Sequence, residues 1–112
     1  MEPTIAPTDL RDQIARGAPI ALLDVRRAED RAKDPAAIPG ATWHDPAALA
    51  SWAPDLGPNL GPDREIVLYC VRGGSVSRSV LDALRAQGRK ARFIEGGLEG
   101  WKAAGGAVET LA

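Results

Sequence analysis

Residues 65–76 read Glu65-Ile66-Val67-Leu68-Tyr69-Cys70-Val71-Arg72-Gly73-Gly74-Ser75-Val76. After Glu65, the next four are apolar and mostly β-branched or aromatic, the composition of a strand buried on both faces. From Ser75 to Gly88 the period changes. Val76, Val80 and Leu84, with Leu81 beside them, fall on one stripe of a helix, while Arg78, Asp82 and Arg85 face away. A buried strand, a short turn with two adjacent glycines and an amphipathic helix form a βα unit. Such units are the building blocks of a parallel sheet covered by helices.

Working outward, the same alternation recurs. Upstream, Thr8 is placed to cap a helix over residues 9–16, with Gly17 as its stop. Residues 19–25 form an apolar run that reads as a second buried strand. The charged stretch 26–33 reads as an exposed turn or short helix, and residues 38–41 as a turn into a short strand at Thr42-Trp43. Pro54, Gly57, Pro58, Gly61 and Pro62 crowd residues 53–63, which argues against a regular element and for a surface loop. Downstream, Ala91-Arg92-Phe93-Ile94 is a strand and residues 98–104 a short helix. The expected fold is α/β: one domain over residues 1–112, a small, mostly parallel sheet with helices on both faces.

The chain of 112 residues is 45% hydrophobic and 26% charged, with a net charge of -1, a balance that gives no general attraction to nucleic acid or to an anionic membrane. No apolar run approaches the ~20 residues that span a bilayer. Met1-Glu2-Pro3-Thr4 lacks the basic and apolar blocks of a signal peptide, so the expected location is cytoplasmic. One cysteine permits no intrachain disulfide. Charge is unevenly spread: residues 64–92 carry seven Lys/Arg against two Asp/Glu, a local basic field suited to a small anion or to a solvated helix face.

Cys70 lies where the strongest strand ends. Ligands of open α/β sheets bind beyond the carboxyl ends of the strands, where backbone N–H groups and helix N-termini converge. Adjacent glycines let Val71-Arg72-Gly73-Gly74-Ser75 curl so that several N–H groups point inward as an anion-binding nest. A cysteine at the mouth of such a nest is expected to be a reactive thiolate rather than an inert core residue.

Four landmarks in order give the chain a family resemblance. Leu22-Leu23-Asp24-Val25-Arg26 and Ile38-Pro39-Gly40-Ala41 resemble the opening signature of rhodanese domains and the turn that follows it. Residues 69–75 resemble the active-site loop, with Cys-x-x-Gly at its core, and residues 95–101 the closing signature. A histidine that often precedes the Ile-Pro-Gly-Ala turn is Ala37 here. The resemblance implies a thiosulfate sulfurtransferase-like enzyme. The Cys70 thiolate would take the outer sulfur of thiosulfate or a similar small anionic donor. A persulfide held by the N–H groups of Val71, Arg72, Gly73, Gly74, Ser75 and Val76 would then pass its sulfur to cyanide or a thiol. That chemistry calls for no metal or organic cofactor.

In this reading Arg72 meets the donor's charge, and Ser75 either donates to the persulfide or caps the helix. Asp24 and Arg26 brace the loop, and Trp101 anchors the last helix near it. His44 is the only histidine and has no partner indicated by spacing for a Cys–His dyad. Three alternatives stand: a non-catalytic rhodanese-like binding module, a relay loaded with sulfur by a partner protein, and a cysteine phosphatase or arsenate reductase. The last wants an arginine six positions after the cysteine to clamp phosphoryl oxygens, and that position is Val76.

Overall fold

The computed structural model of the chain describes residues 2–60 and 64–110, the side chains of 57–60 excepted. In order, the elements are β1 (Thr4–Ile5), α1 (Pro7–Ala15), β2 (Ile20–Asp24), α2 (Ala28–Lys33), β3 (Ala36–Ala37), β4 (Thr42–Trp43), a 3-10 turn (Pro46–Ala48), α3 (Leu49–Leu60), β5 (Glu65–Tyr69), α4 (Ser75–Ala86), β6 (Ala91–Ile94), α5 (Gly97–Ala103) and β7 (Glu109–Thr110). Five strands pair in the order β1-β6-β5-β2-β4, every pairing parallel. β3 and β7 form a separate antiparallel pair.

Strand alternation divides the sheet between two cores. Ala21, Leu23, Val25, Ile66, Leu68, Cys70, Ala91 and Phe93 face Ala53 and Leu56 of α3 and Val80, Leu81 and Leu84 of α4. Their neighbours Leu22, Val67, Tyr69 and Ile94 face the other way, against Leu10 of α1 and Leu98 and Trp101 of α5. Helices therefore cover both faces, as a parallel sheet requires. No helix among the described residues is long and apolar enough to cross a membrane.

Three sequence expectations need correction. Helix α1 begins at Pro7, two residues before the expected start, so Thr8 lies inside its first turn. The capping position is Ala6, which makes no side-chain bond. Proline at the first helical position has the right φ and no N–H to leave unsatisfied, so it starts the helix.

The breaker-rich stretch is not a loop: residues 53–60 belong to α3, and residues 61–63 lie outside the described residues. Leu49, Trp52, Ala53 and Leu56 recur at helical spacing and pack on the sheet, and that burial outweighs the cost of roughly 3 kcal/mol for a proline within a helix. Trp52 Nε1 also donates to Asp45 O at 2.7 Å.

Finally, Arg85 does not simply face away. It is half-buried, and its guanidinium donates to Ala91 O at 3.1 Å and to Glu2 O at 2.9 Å, tying α4 to the sheet edge.

If the α3 stripe is a true part of the core, Leu56→Ala will cost about 2–4 kcal/mol in urea unfolding, with the denaturant slope unchanged. A loss under about 0.5 kcal/mol would mean that α3 does not pack on the sheet.

Candidate active site

Cys70 follows β5 directly and is 6% exposed, at the floor of a cleft of about 470 Å³. The cleft is bounded by the loop at Val71, Arg72 and Gly74, by the start of α4 at Ser75 and Val76, by α2 and the residues before it, and by Leu98 and Glu99. Sheet register explains the placement: Leu68 and Tyr69 pair with Leu23 and Asp24, so β5 and β2 end together and the chain must turn away.

What shapes the loop is its contact with the start of α5. Leu98 N donates to Cys70 O at 2.9 Å and Glu99 N to Val71 O at 3.1 Å. Gly97 has φ +60, and a Cβ there would stand 2.5 Å from Cys70 O and 2.7 Å from Gly73 N. Gly73 has φ +72, and its Cβ would press on Ile94 O at 3.1 Å and Gly96 N at 3.2 Å. Only glycine tolerates both the backbone angle and the approach at these two positions. With the first two carbonyls of the loop taken by α5, the N–H groups of residues 71–76 have no acceptor among the described residues. They are the unsatisfied donors of a curled loop and a helix N-terminus, next to a thiol.

The brace beneath the cleft is an ion pair with side chains 0% and 3% exposed. Arg26 Nη2 lies 2.8 Å from Asp24 Oδ2 and Arg26 Nε 3.0 Å from Asp24 Oδ1, while Nη1 donates to Asp34 O at 2.9 Å and Nη2 to Ala36 O at 3.0 Å. Burial works against the guanidinium charge, but the hydrogen bonds and charge of Asp24 outweigh it and hold Arg26 more firmly protonated than an ordinary arginine. Burial pushes the Tyr69 phenol far above its usual range, so it stays neutral and its oxygen accepts from Ile38 N at 3.3 Å. Both side chains tie the end of the sheet to residues 34–38.

The other expected residues fall as follows. Arg72 is exposed on the cleft wall and makes no hydrogen bond or ion pair among the described residues. Ser75 is the first residue of α4, exposed and unbonded; the capping position is Gly74, so Ser75 does not cap the helix. His44 packs at a tilt of 55° against Trp52, ring centroids 4.8 Å apart, and lines a different cavity that does not include Cys70. Trp101 is buried in the α1/α5 core, where it anchors the last helix, and its Nε1 donates to Ala107 O at 2.8 Å, which also holds the segment after α5.

The basic field of residues 64–92 is also differently spent. Arg92 pairs with Glu65 at 2.6 Å, Arg85 binds carbonyls, and the Arg78 guanidinium lies 5.5 Å from the Phe93 ring centroid. Of that set only Arg72 lines the cleft; the other cations there are Arg26, Arg27 and Lys33, facing Asp30, Asp34 and Glu99. Arg27 and Lys33 were missed because they lie far from Cys70 in sequence, in a stretch that also carries acidic residues.

The Rhodanese-like domain family matches residues 6–104. The chain belongs to that family. No curated protein matches it at a significant level. Among solved structures, a full-length protein from Lactobacillus plantarum is 29% identical with a TM-score of 0.82, the match covering 97% of this chain and 88% of that one. A Rhodopseudomonas palustris protein of unknown function, described as a possible tyrosine phosphatase, is 29% identical with a TM-score of 0.72, covering 95% of this chain and 83% of that one. A thiosulfate sulfurtransferase from Pseudomonas aeruginosa shares the fold, with a TM-score of 0.81 at 23% identity, over 98% of this chain and 20% of its own length. The rhodanese-like fold thus carries proteins with differently described activities, and the assignment of chemistry rests on the site.

Two substitutions test this architecture. Asp24→Ala leaves the Arg26 charge buried and unpaired and will cost about 3–5 kcal/mol in urea unfolding; a loss below about 1 kcal/mol would show that the pair does not brace the fold. Gly97→Ala will cost about 2 kcal/mol or more through the strained φ and the clash with Cys70 O, and a neutral result would refute the close approach.

Proposed function

We propose that this rhodanese-like domain is a sulfurtransferase that carries a sulfane sulfur on Cys70. The observation that supports this best is the row of unclaimed backbone N–H groups at residues 71–76, curled beside the only cysteine at the floor of a cleft. The Cys70 thiolate attacks the outer sulfur of thiosulfate. A Cys70 S–S bond forms, the donor's S–S bond breaks, and sulfite leaves with the bonding pair. The outer sulfur of the resulting persulfide carries the negative charge, and the N–H donors of residues 71–76, which have no other acceptor among the described residues, stabilise it. A thiolate or cyanide acceptor then attacks that sulfur, breaks the S–S bond and regenerates the Cys70 thiolate. Two covalent half-reactions give ping-pong kinetics.

Arg72 meets the sulfonate end of the donor at the mouth of the cleft. Asp24 and Arg26 support the floor and take no part in bond changes. A cytoplasmic, reducing setting goes with a catalytic thiol of this kind. A phosphatase reading finds little support: position 76 is a valine, and Arg78 is exposed and laid along Phe93.

Incubation with thiosulfate will add one sulfur mass to the intact protein, and cyanide will remove it as thiocyanate; Cys70→Ser will show no adduct. Absence of the adduct in the unaltered protein would leave a binding module as the better account. Arg72→Ala will raise the KM for thiosulfate by roughly tenfold, the worth of one charge-assisted hydrogen bond, and an unchanged KM would remove its role.

A further inference from the structure

On the α1/α5 side of the sheet lies a cavity of about 310 Å³ that shares no residue with the Cys70 cleft. Ile14 and Ala15 of α1, Trp101 of α5, the turn at Ile38 and Pro39, and Ala107 give it an apolar wall. Its size and character are those of a small-ligand site, mostly apolar with few polar groups to fix orientation. The exposed large hydrophobics among the described residues gather here: Ile14, 44% exposed, lines the cavity, and Val108, 41% exposed, follows Ala107.

The wall is held in shape by bonds of its own. Ile38 is 1% exposed, and its N–H donates to the Tyr69 hydroxyl at 3.3 Å. Trp101 Nε1 donates to Ala107 O at 2.8 Å, and Gly106 lies against the Trp101 indole where a Cβ would not fit. Pairing of Glu109 with Ala37 ties the end of that segment back to the strand before the turn.

Charge narrows the choice of occupant. Arg11 is the one charged residue that lines this cavity, whereas the Cys70 cleft mixes arginine and lysine with aspartate and glutamate. Arg11 Nη1 donates to Ala104 O at 2.8 Å, which fixes the guanidinium on the rim. Its Nε and Nη2 N–H groups have no partner among the described residues, and it is in no ion pair there. A guanidinium pinned through one nitrogen keeps a two-donor edge for a carboxylate, the geometry of a bidentate pair, and loses little further freedom on binding. A second copy of the chain fits less well. A two-fold contact through this cavity would bring two Arg11 guanidiniums together with no carboxylate in either wall to face them.

We propose that this cavity binds a small monocarboxylate with a compact apolar body, such as an arylalkanoate. The body packs among Ile14, Ile38, Pro39 and Trp101, and the carboxylate pairs with Arg11. The site stands apart from the sulfur chemistry proposed for Cys70 and does not depend on it.

The probe is 3-phenylpropionate, titrated into the full chain while backbone amide NMR signals are followed. Its uncharged analogue, 3-phenylpropan-1-ol, is titrated in parallel. Saturable shifts at Ile14, Ala15, Ile38, Gly105 and Ala107 are expected, with the alcohol bound at least about tenfold more weakly, the worth of one charge-assisted pair. Arg11→Gln can still donate to Ala104 O but carries no charge. It will bring the carboxylate down to the affinity of the alcohol and leave the alcohol unchanged. Ala15→Phe, which narrows the cavity from an exposed position, will weaken both ligands. Cys70→Ser will bind 3-phenylpropionate as the unaltered protein does, so loss of sulfur transfer and loss of this site are separate results. Equal affinity for the acid and the alcohol, or shifts that do not saturate, would overturn the proposal. Movement of the same signals with protein concentration alone, accompanied by a doubling of mass in sedimentation, would overturn it in favour of a contact between copies.

Discussion

The close approach of the Gly96-Gly97 backbone to the loop after β5 is the contact on which the candidate site depends. Two hydrogen bonds, from Leu98 N and Glu99 N, take the carbonyls of Cys70 and Val71. With these carbonyls engaged, the N–H groups of residues 71–76 are left without an acceptor among the described residues. The glycines at 73 and 97 are required because each meets backbone atoms where a Cβ would stand. Gly73 and Gly97, 24 residues apart in sequence, thus belong to a single device, and neither half would hold the other's geometry with alanine in place of these glycines.

The rest of the fold keeps that device in place. β5 lies in the interior of a sheet packed on both faces, and Cys70 is the last residue of its alternating pattern, on the α3/α4 side. Tyr69, on the opposite face, is fixed by Ile38 N, and Asp24 beside it is locked to Arg26. Arg26 in turn holds the carbonyls of Asp34 and Ala36, so the α2 segment that walls the cleft is anchored to the sheet. The Asp34 side chain ends this chain of contacts at Lys102, 2.5 Å away, and that bond holds its carboxyl below the usual range. Its contribution is present above the ordinary carboxylate range and lost as pH falls; both side chains are about one-third exposed, so it is small.

Much of this was legible in the sequence where one period dominates. The apolar run at 66–69 and the stripe at Val76, Val80, Leu81 and Leu84 read correctly because burial on both faces, or on one helical stripe, writes itself into residue order. α3 was misread because proline and glycine were counted ahead of the spacing of Leu49, Trp52, Ala53 and Leu56, and burial of that stripe outweighs local propensity. β1, β3 and β7 have two residues each, too few for any period to show. At the site, the strand-end cysteine and the glycine loop were visible. The charges lining the cleft were not: a basic count over 64–92 pointed to arginines that the fold uses elsewhere, while Arg27 and Lys33 reach the cleft only through the path of α2.

The central claim is that the N–H groups of residues 71–76 hold the outer sulfur on Cys70. Backbone amide NMR of the protein before and after loading with thiosulfate addresses it residue by residue. Downfield proton shifts concentrated at Val71, Arg72, Gly73, Gly74, Ser75 and Val76, and reversed on adding cyanide, are the expected result. A protein that gains the sulfur mass while these amide signals stay where they were would contradict the account.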